Sequence, residues 1–146
     1  KMYGHTANTT GTSSLNLSVF VDETFKYKRN LVAGMESEYN NADGYALQQI
    51  FSKFSKQENT KKLVIMLSDG EPLAKRYTDK PAREHVREVV RKGLNSGIRV
   101  LSVALDNFYQ EDMYFDVIPY KGVNTAVEIS NWIRKYFTEE SKQISF

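Results

Sequence analysis

The chain has 146 residues, 40% hydrophobic and 26% charged, which is the length and composition of one globular domain. It has no cysteine, which excludes disulfides and thiolate metal sites, and its net charge of +2 gives no electrostatic reason to expect nucleic acid or an anionic membrane as partner. The longest uncharged apolar runs, 63–67 and 100–105, are far too short to span a bilayer.

Two strands are predicted at the start of the chain. Residues 1–6 form a short candidate strand, and residues 7–14 are small and polar, which is typical of an exposed loop. Residues 15–21 alternate between apolar and polar, as in a strand with one buried face. A helical turn is expected within residues 31–39.

Helices and strands then alternate. Apolar residues of 46–54 fall on one face of a helix, and a second amphipathic helix is predicted over 80–96. The unbroken apolar run 63–67 is typical of a central parallel strand that is buried on both faces, and residues 98–105 predict the next strand.

The last third of the chain predicts a loop, an edge strand and a helix. Residues 106–116 read as a loop with four aromatic residues, which either form a partner-binding patch or close the core beneath that loop. Residues 117–120 predict a short edge strand, because its proline cannot donate a ladder hydrogen bond, and 124–137 predict a helix. The expected fold is a single α/β domain over residues 1–137, a three-layer sandwich with a mostly parallel central sheet flanked by helices, followed by a tail at 138–146.

Three polar segments are candidates for a functional site. Ligands of an open parallel sheet bind beyond the carboxyl ends of its strands. Ser68 and Asp69 follow the most hydrophobic strand, Asp106 follows the next one, and the turn 40–44 precedes the first helix. These segments are therefore expected on one rim of the sheet.

Asp69 is the strongest single candidate on that rim. A carboxylate at the end of a buried strand is costly unless it meets a cation or backbone donors. With Ser68, Asn41 and Asp43 it offers the oxygen ligands that Mg²⁺ prefers. The alternative is that Asp69 caps the following turn, in which Gly70 adopts a positive φ.

Two stretches resemble the metal-site motifs of von Willebrand factor A (VWA) domains. Residues 62–72, KLVIMLSDGEP, look like the strand and loop of the last motif, and residues 41–47, NADGYAL, look like the middle motif and the start of its helix. The combination is similar to the VWA-bearing subunit of cobalt chelatase and to related proteins of bacteria and phages. The resemblance extends over about residues 1–137 and implies a Rossmann-type topology.

The resemblance implies a metal-ion-dependent adhesion site (MIDAS), in which Mg²⁺ or another divalent cation binds and a partner's carboxylate completes its shell. The family's Asp matches Asp69, and its usual Thr falls on Asn41. The residues expected at the cation are Asp69, Asn41, Asp43 and Ser68. The residues expected to contact the partner are Glu71, Asp106 and Tyr109.

The family's first motif, Asp-x-Ser-x-Ser, does not occur in this sequence. In the family it follows the first, central strand, and the match places residues 1–6 at the second strand. The chain starts at Lys1 without an initiator Met or a signal peptide. We therefore expect that the first strand and helix precede Lys1, come from another chain, or have been lost.

The expected function is a protein–protein interaction module, at most a non-catalytic subunit of a cytoplasmic ATP-dependent complex with an AAA+ ATPase partner. One alternative is a structural or assembly protein that keeps the fold without a working metal site. A second is a metal-dependent hydrolase that uses Asp69, Asp43 and Asp106. The sequence contains no phosphate-binding loop, nucleophile elbow or dinucleotide motif. His5 and His85 lack metal-ligand spacing, so ordinary surface or capping roles are expected.

Overall fold

The computed structural model describes residues 2–7, 15–21, 40–54, 61–74, 76–106 and 110–139. Their strands are β1 (Met2–Ala7), β2 (Leu15–Val21), β3 (Lys62–Ser68), β4 (Ile98–Ala104) and β5 (Asp116–Pro119). Their helices are α1 (Asp43–Phe54), α2 (Asp79–Asn95), α3 (Gln110–Met113) and α4 (Val123–Glu139). The helical turn predicted within 31–39 lies outside the described residues.

The strands form two sheets. β3, β4 and β5 are parallel and lie in that order, and β1 pairs with β2 in an antiparallel hairpin. The helices between the parallel strands supply the crossover connections that parallel pairing requires. The coarse prediction of an α/β fold with a parallel sheet and flanking helices is confirmed. β5 lies at one edge of the three-stranded sheet, as its proline predicts.

The main core lies between the parallel sheet and helices α1 and α2. Alternate residues of β3, Val64 and Met66, face this side of the sheet, and Leu47 and Val86 meet them from the helices. The periodic apolar positions of both helices are therefore the positions that pack, as their amphipathic pattern predicts. Each fully buried side chain of this kind contributes about 1.5–3 kcal/mol to folding.

The position of β3 differs from the prediction of a central strand buried on both faces. Among the described strands β3 is an edge strand, next to β4 alone. On the face opposite the main core, Ile65 is 39% and Leu67 62% exposed. An apolar run of this kind is typical of a strand with a neighbour on each edge, and the described residues supply only one.

Helix α3 was not predicted, because four residues are too few to show a helical period. The predicted loop 106–116 therefore contains one helical turn, which places Gln110 and Met113 in the interior. Arg87 of α2 donates to the carbonyl oxygens of Glu111 and Asp112, at 3.3 and 3.0 Å, and so holds this turn against α2.

Helix α4 is joined to the far edge of the sheet through Asp116. This carboxylate accepts a hydrogen bond from Arg99 Nε at 2.8 Å and one from Trp132 Nε1 at 3.4 Å. The Arg99 guanidinium also lies over the ring of Tyr136, 5.9 Å from its centroid. Within the part of the chain that the structure describes, no helix is both long and apolar enough to cross a membrane.

Gly93 provides a first testable prediction about this packing. A Cβ at Gly93 would lie 2.6 Å from Cε2 of Phe51, so the ring of α1 must shift to admit it. We expect Gly93→Ala to destabilise the fold by about 1–3 kcal/mol through overpacking, although alanine favours helix by about 1 kcal/mol. Urea denaturation measures the change.

The matched test is the same substitution in a Phe51→Ala background, where the ring is absent. There, Gly93→Ala is expected to be neutral or stabilising, so the double-mutant cycle gives a coupling free energy of about 1 kcal/mol or more. Equal costs in both backgrounds would show that the ring does not limit this position.

Candidate functional site

Four polar side chains meet beside the carboxyl end of β3. Asp43 is the first residue of α1, Ser68 the last of β3, His5 lies in β1, and Tyr114 follows α3. Asp43 is only 1% exposed, and a helix N-terminus favours its negative charge. Together these four side chains form the Asp43 cluster.

The two carboxylate oxygens of Asp43 have different surroundings. Oδ2 accepts a hydrogen bond from Ser68 Oγ at 3.1 Å and a longer one from the Tyr114 hydroxyl at 3.5 Å. Oδ1 is buried and has no hydrogen-bond partner among the described residues, and the same holds for His5 Nδ1. His5 Nε2 lies 3.5 Å from Oδ1. One carboxylate oxygen is thus satisfied, and the other is left beside an imidazole.

Burial controls the electrostatics of this cluster. Desolvation raises the pKa of Asp43 above its usual range, His5 and the Ser68 hydrogen bond oppose that rise, and the negative charge of Asp69 adds to it. Burial also raises the pKa of Tyr114, and the nearby Asp43 carboxylate acts in the same direction. A desolvated carboxylate of this kind is stabilised by a proton or by a cation.

Ser68 is held in place from both sides. Its hydroxyl accepts a hydrogen bond from the Gly70 amide at 3.1 Å, and its carbonyl oxygen accepts one from Gln110 Nε2 at 2.9 Å. Gln110 is in turn fixed by Ser102 Oγ, which donates to its Oε1 at 2.8 Å. This buried network fixes the end of β3 against α3 and so orients the hydroxyl toward Asp43.

Asp69, the strongest candidate from the sequence, is exposed and forms the predicted turn. Its Oδ1 accepts a hydrogen bond from the Glu71 amide at 3.1 Å, and Gly70 has a φ of 90°. The capping alternative is therefore observed. The role of Asp69 at a cation stays a prediction. Its negative charge acts on Asp43, which requires the two carboxylates to lie near each other, and this supports the prediction.

Asn41 joins the turn before α1 to the loop after β3. Its Oδ1 accepts a hydrogen bond from the backbone amide of Leu73 at 2.7 Å, and the backbone N–H of Asn41 donates to the Leu73 carbonyl oxygen at 2.9 Å. Glu71 and Asp106 are exposed residues that follow β3 and β4. Tyr109 lies outside the described residues. Of the predicted site residues, the structure joins Asp43 and Ser68 directly by a hydrogen bond.

A second polar cluster lies against Gly44, next to Asp43. The Tyr77 hydroxyl is 2.9 Å from His85 Nδ1, and the ring of Tyr45 stacks at a tilt on His85 at 4.7 Å. A Cβ at Gly44 would lie 2.5 Å from His85 Nδ1 and 2.6 Å from the Tyr77 hydroxyl oxygen. The glycine of the Asn-Ala-Asp-Gly turn is therefore required by this close approach.

His85 gives a prediction for pH dependence. Desolvation lowers its pKa from the ordinary 6.5, with Glu88 opposing and Lys92 assisting the shift. The folded state consequently binds fewer protons than the unfolded state, so this group loses stability as the pH falls below about 6.5. Between about pH 7.5 and pH 5, we expect the melting temperature of the wild type to fall more than that of His85→Gln. Parallel curves for the two proteins would contradict this.

Sequence reasoning did not identify His5 or Tyr114 as members of the site. His5 lies far from Asp43 in sequence, so no ligand spacing indicates it, and Tyr114 was one of four aromatics with two open interpretations. Tyr114 is now placed in the core, 3% exposed, whereas Phe115 is exposed beneath Arg87. The described residues contain no group of three or more His, Cys, Asp or Glu side chains arranged to hold a metal ion.

Comparisons with known proteins give one informative similarity. The chain is 33% identical over 84 residues to the uncharacterized protein YojO of Bacillus subtilis (strain 168). The match covers 58% of this chain, which spans only about 13% of the length of that relative. No protein-family model and no solved structure matches the chain. These comparisons therefore leave the family and the function to the argument from the site.

Proposed function

We propose that this chain is a VWA-like interaction module that binds an acidic group of a protein partner through a divalent cation. The observation that carries the proposal is Asp43, a buried carboxylate at the carboxyl end of the parallel sheet. Its Oδ1 has no hydrogen-bond donor among the described residues and lies 3.5 Å from His5 Nε2. The cation would be Mg²⁺ or a similar ion, and the partner's carboxylate would complete its shell. The proposed setting is a cytoplasmic chelatase-type complex with an AAA+ ATPase.

The residues present fit a cation with incomplete protein coordination. Asp43 Oδ1 offers a direct ligand, and the exposed Asp69 carboxylate adds a second negative charge close by. Asn41 Oδ1 already accepts one hydrogen bond, although an amide oxygen has a second lone pair. Hard divalent cations retain several waters, so one direct carboxylate with supporting oxygens suits them if a partner contributes another.

A further strand, from an adjoining segment or from another chain, is part of this proposal. Three observations support it: the outer edge of β3 has no partner strand among those described, Leu67 is 62% exposed, and the buried His5 Nδ1 has no hydrogen-bond partner in the described part of the chain. Buried polar atoms are rarely left unpaired in complete structures. A strand paired with β3 would cover this edge.

The alternative of an assembly protein without a working metal site also has an observation in its favour. Asn41 and Asp69 each give a side-chain oxygen to a backbone amide, which are structural roles that need no cation. The absence of Asp-x-Ser-x-Ser from the sequence points the same way. The two functions differ in whether a cation stabilises the protein.

Thermal melting of the full-length natural protein with Mg²⁺ or Mn²⁺, against a chelator, tests the proposal. At a cation concentration about 100-fold above Kd, the expected stabilisation is about 2.7 kcal/mol. Asp69→Asn should reduce it without lowering the cation-free melting temperature, because asparagine still accepts the Glu71 hydrogen bond and removes a negative charge that acts on Asp43. Glu84→Gln, at an exposed carboxylate of α2, is the matched control. No cation-dependent shift in the wild type would favour the assembly alternative.

A further inference from the structure

His5 and Asp43 approach each other with a buried, unsatisfied atom on each side chain. His5 is 16% exposed and Asp43 1% exposed in their side chains. Neither Asp43 Oδ1 nor His5 Nδ1 has a hydrogen-bond partner among the described residues. Two neighbouring buried groups left unsatisfied indicate that a third component belongs between or beside them.

The distance between the two side chains indicates what that component is. His5 Nε2 and Asp43 Oδ1 are 3.5 Å apart and do not form a hydrogen bond. A charge-assisted N–H···O bond would bring them to about 2.7–2.9 Å. Nitrogen and oxygen ligands, each about 2.0–2.2 Å from a tetrahedral cation, lie about 3.4 Å apart. The observed 3.5 Å lies within ion-pair range and also matches the separation of two ligands across one ion.

The rest of the cluster leaves Oδ1 without a hydrogen-bond donor among the described residues. The hydroxyls of Ser68 and Tyr114 both donate to Oδ2, on the other side of the carboxylate. They fix the carboxylate plane and leave Oδ1 for a ligand role. The nearby negative charge of Asp69 favours a cation over a neutral molecule here.

We propose that His5 is a nitrogen ligand, through Nε2, to a divalent cation held against Asp43 Oδ1, and that the site therefore takes Zn²⁺ or Co²⁺ more tightly than Mg²⁺. This rests on the proposed function and deepens it by naming the cation class. Imidazole suits Zn²⁺ and other transition-metal dications, whereas Mg²⁺ prefers oxygen ligands and retains its waters. Two protein ligands, a water and the partner's carboxylate make a four-coordinate shell.

The test is pulsed electron paramagnetic resonance of the full-length natural protein loaded with Mn²⁺, which reports ¹⁴N nuclei bound to the ion. The wild type is expected to show imidazole ¹⁴N modulation. His5→Gln should remove the modulation, and His85→Gln, at the chain's other histidine, should keep it. Absence of the modulation from the wild type overturns the role of His5 without any variant, and its presence is assigned to His5 by loss in His5→Gln and retention in His85→Gln.

Calorimetric titration of Zn²⁺ and Mg²⁺ supplies the second readout. His5→Gln is expected to weaken Zn²⁺ binding by at least about 10-fold and to leave Mg²⁺ binding within about 2-fold, since only the softer ion depends on the imidazole. Bound Mn²⁺ without ¹⁴N modulation would overturn the role of His5 and leave the proposed function standing. No binding of any of these ions by the wild type would overturn both.

Discussion

Asp43→Asn is expected to raise the stability of the cation-free protein by about 1 kcal/mol, although it changes one of the most buried side chains. The carboxylate is desolvated, and its Oδ1 has no hydrogen-bond donor among the described residues. Asparagine removes the charge, keeps an oxygen for Ser68 and turns an NH₂ group toward His5. Residues that serve ligand binding often lower the free energy of unfolding in this way.

The size of this effect depends on pH. Because the folded pKa of Asp43 is raised, the folded state binds more protons than the unfolded state over the acidic range. The wild type therefore regains stability as the pH falls toward the folded pKa, and the advantage of Asp43→Asn shrinks there. Urea denaturation in a chelator, at neutral and at acid pH, measures both effects.

Asp43→Ala is the contrasting variant. It leaves the hydroxyls of Ser68 and Tyr114 without their acceptor, which costs about 1–3 kcal/mol for each buried group left unsatisfied. Asp79→Asn, at the exposed first residue of α2, is the control and should change stability by about 0.5 kcal/mol or less. If Asp43→Asn were as unstable as Asp43→Ala, the charged carboxylate would stabilise the fold, and the expected cost of its desolvation would be contradicted.

Leu101→Ala is expected to destabilise the fold by about 2–5 kcal/mol. Leu101 of β4 is 0% exposed, so its removal leaves a cavity that the surrounding strands and helix cannot fill. Leu101 is the register partner of Ile65 in β3, so both side chains lie on the same face of the sheet. Urea denaturation measures the loss.

Leu67→Ala is the matched control, on the same sheet face. Leu67 is 62% exposed, so its truncation in the isolated chain should cost about 0.5 kcal/mol or less. In the natural protein, together with any adjoining segment or partner chain proposed to pair with β3, the same substitution should cost about 2 kcal/mol or more. Equal and small costs in both proteins would contradict a strand at this edge.

The alternation of helices and strands could be predicted because each element has the hydrophobic period of its own type. Helices α1 and α2 bury the apolar positions spaced at three and four residues, and β2 is found at residues 15–21, where the alternation placed it. The hydrophobic period of a strand does not indicate how many other strands pair with it. The apolar run of β3 predicted a central strand, whereas the described residues give it one partner strand.

The site could be predicted only where its residues are close in sequence. Asp43 and Ser68 were among the expected oxygen groups because both lie in local turn motifs that follow or precede regular elements. His5 reaches the site because the fold places β1 beside it. Sequence spacing gives no information about that tertiary contact. The exposed Asp69 ranked first from the sequence, because a strand-end carboxylate is costly when buried, yet the fold buries Asp43 instead.

The proposed function requires Asp43 Oδ1, which has no hydrogen-bond donor among the described residues, to be a ligand of a divalent cation. Calorimetric titration of Mn²⁺ into the full-length natural protein and into its Asp43→Asn and Glu84→Gln variants tests this. We expect one site per chain in the wild type and in Glu84→Gln, and an affinity reduced by at least about 100-fold in Asp43→Asn. Equal affinity of Asp43→Asn and wild type for Mn²⁺ would contradict it.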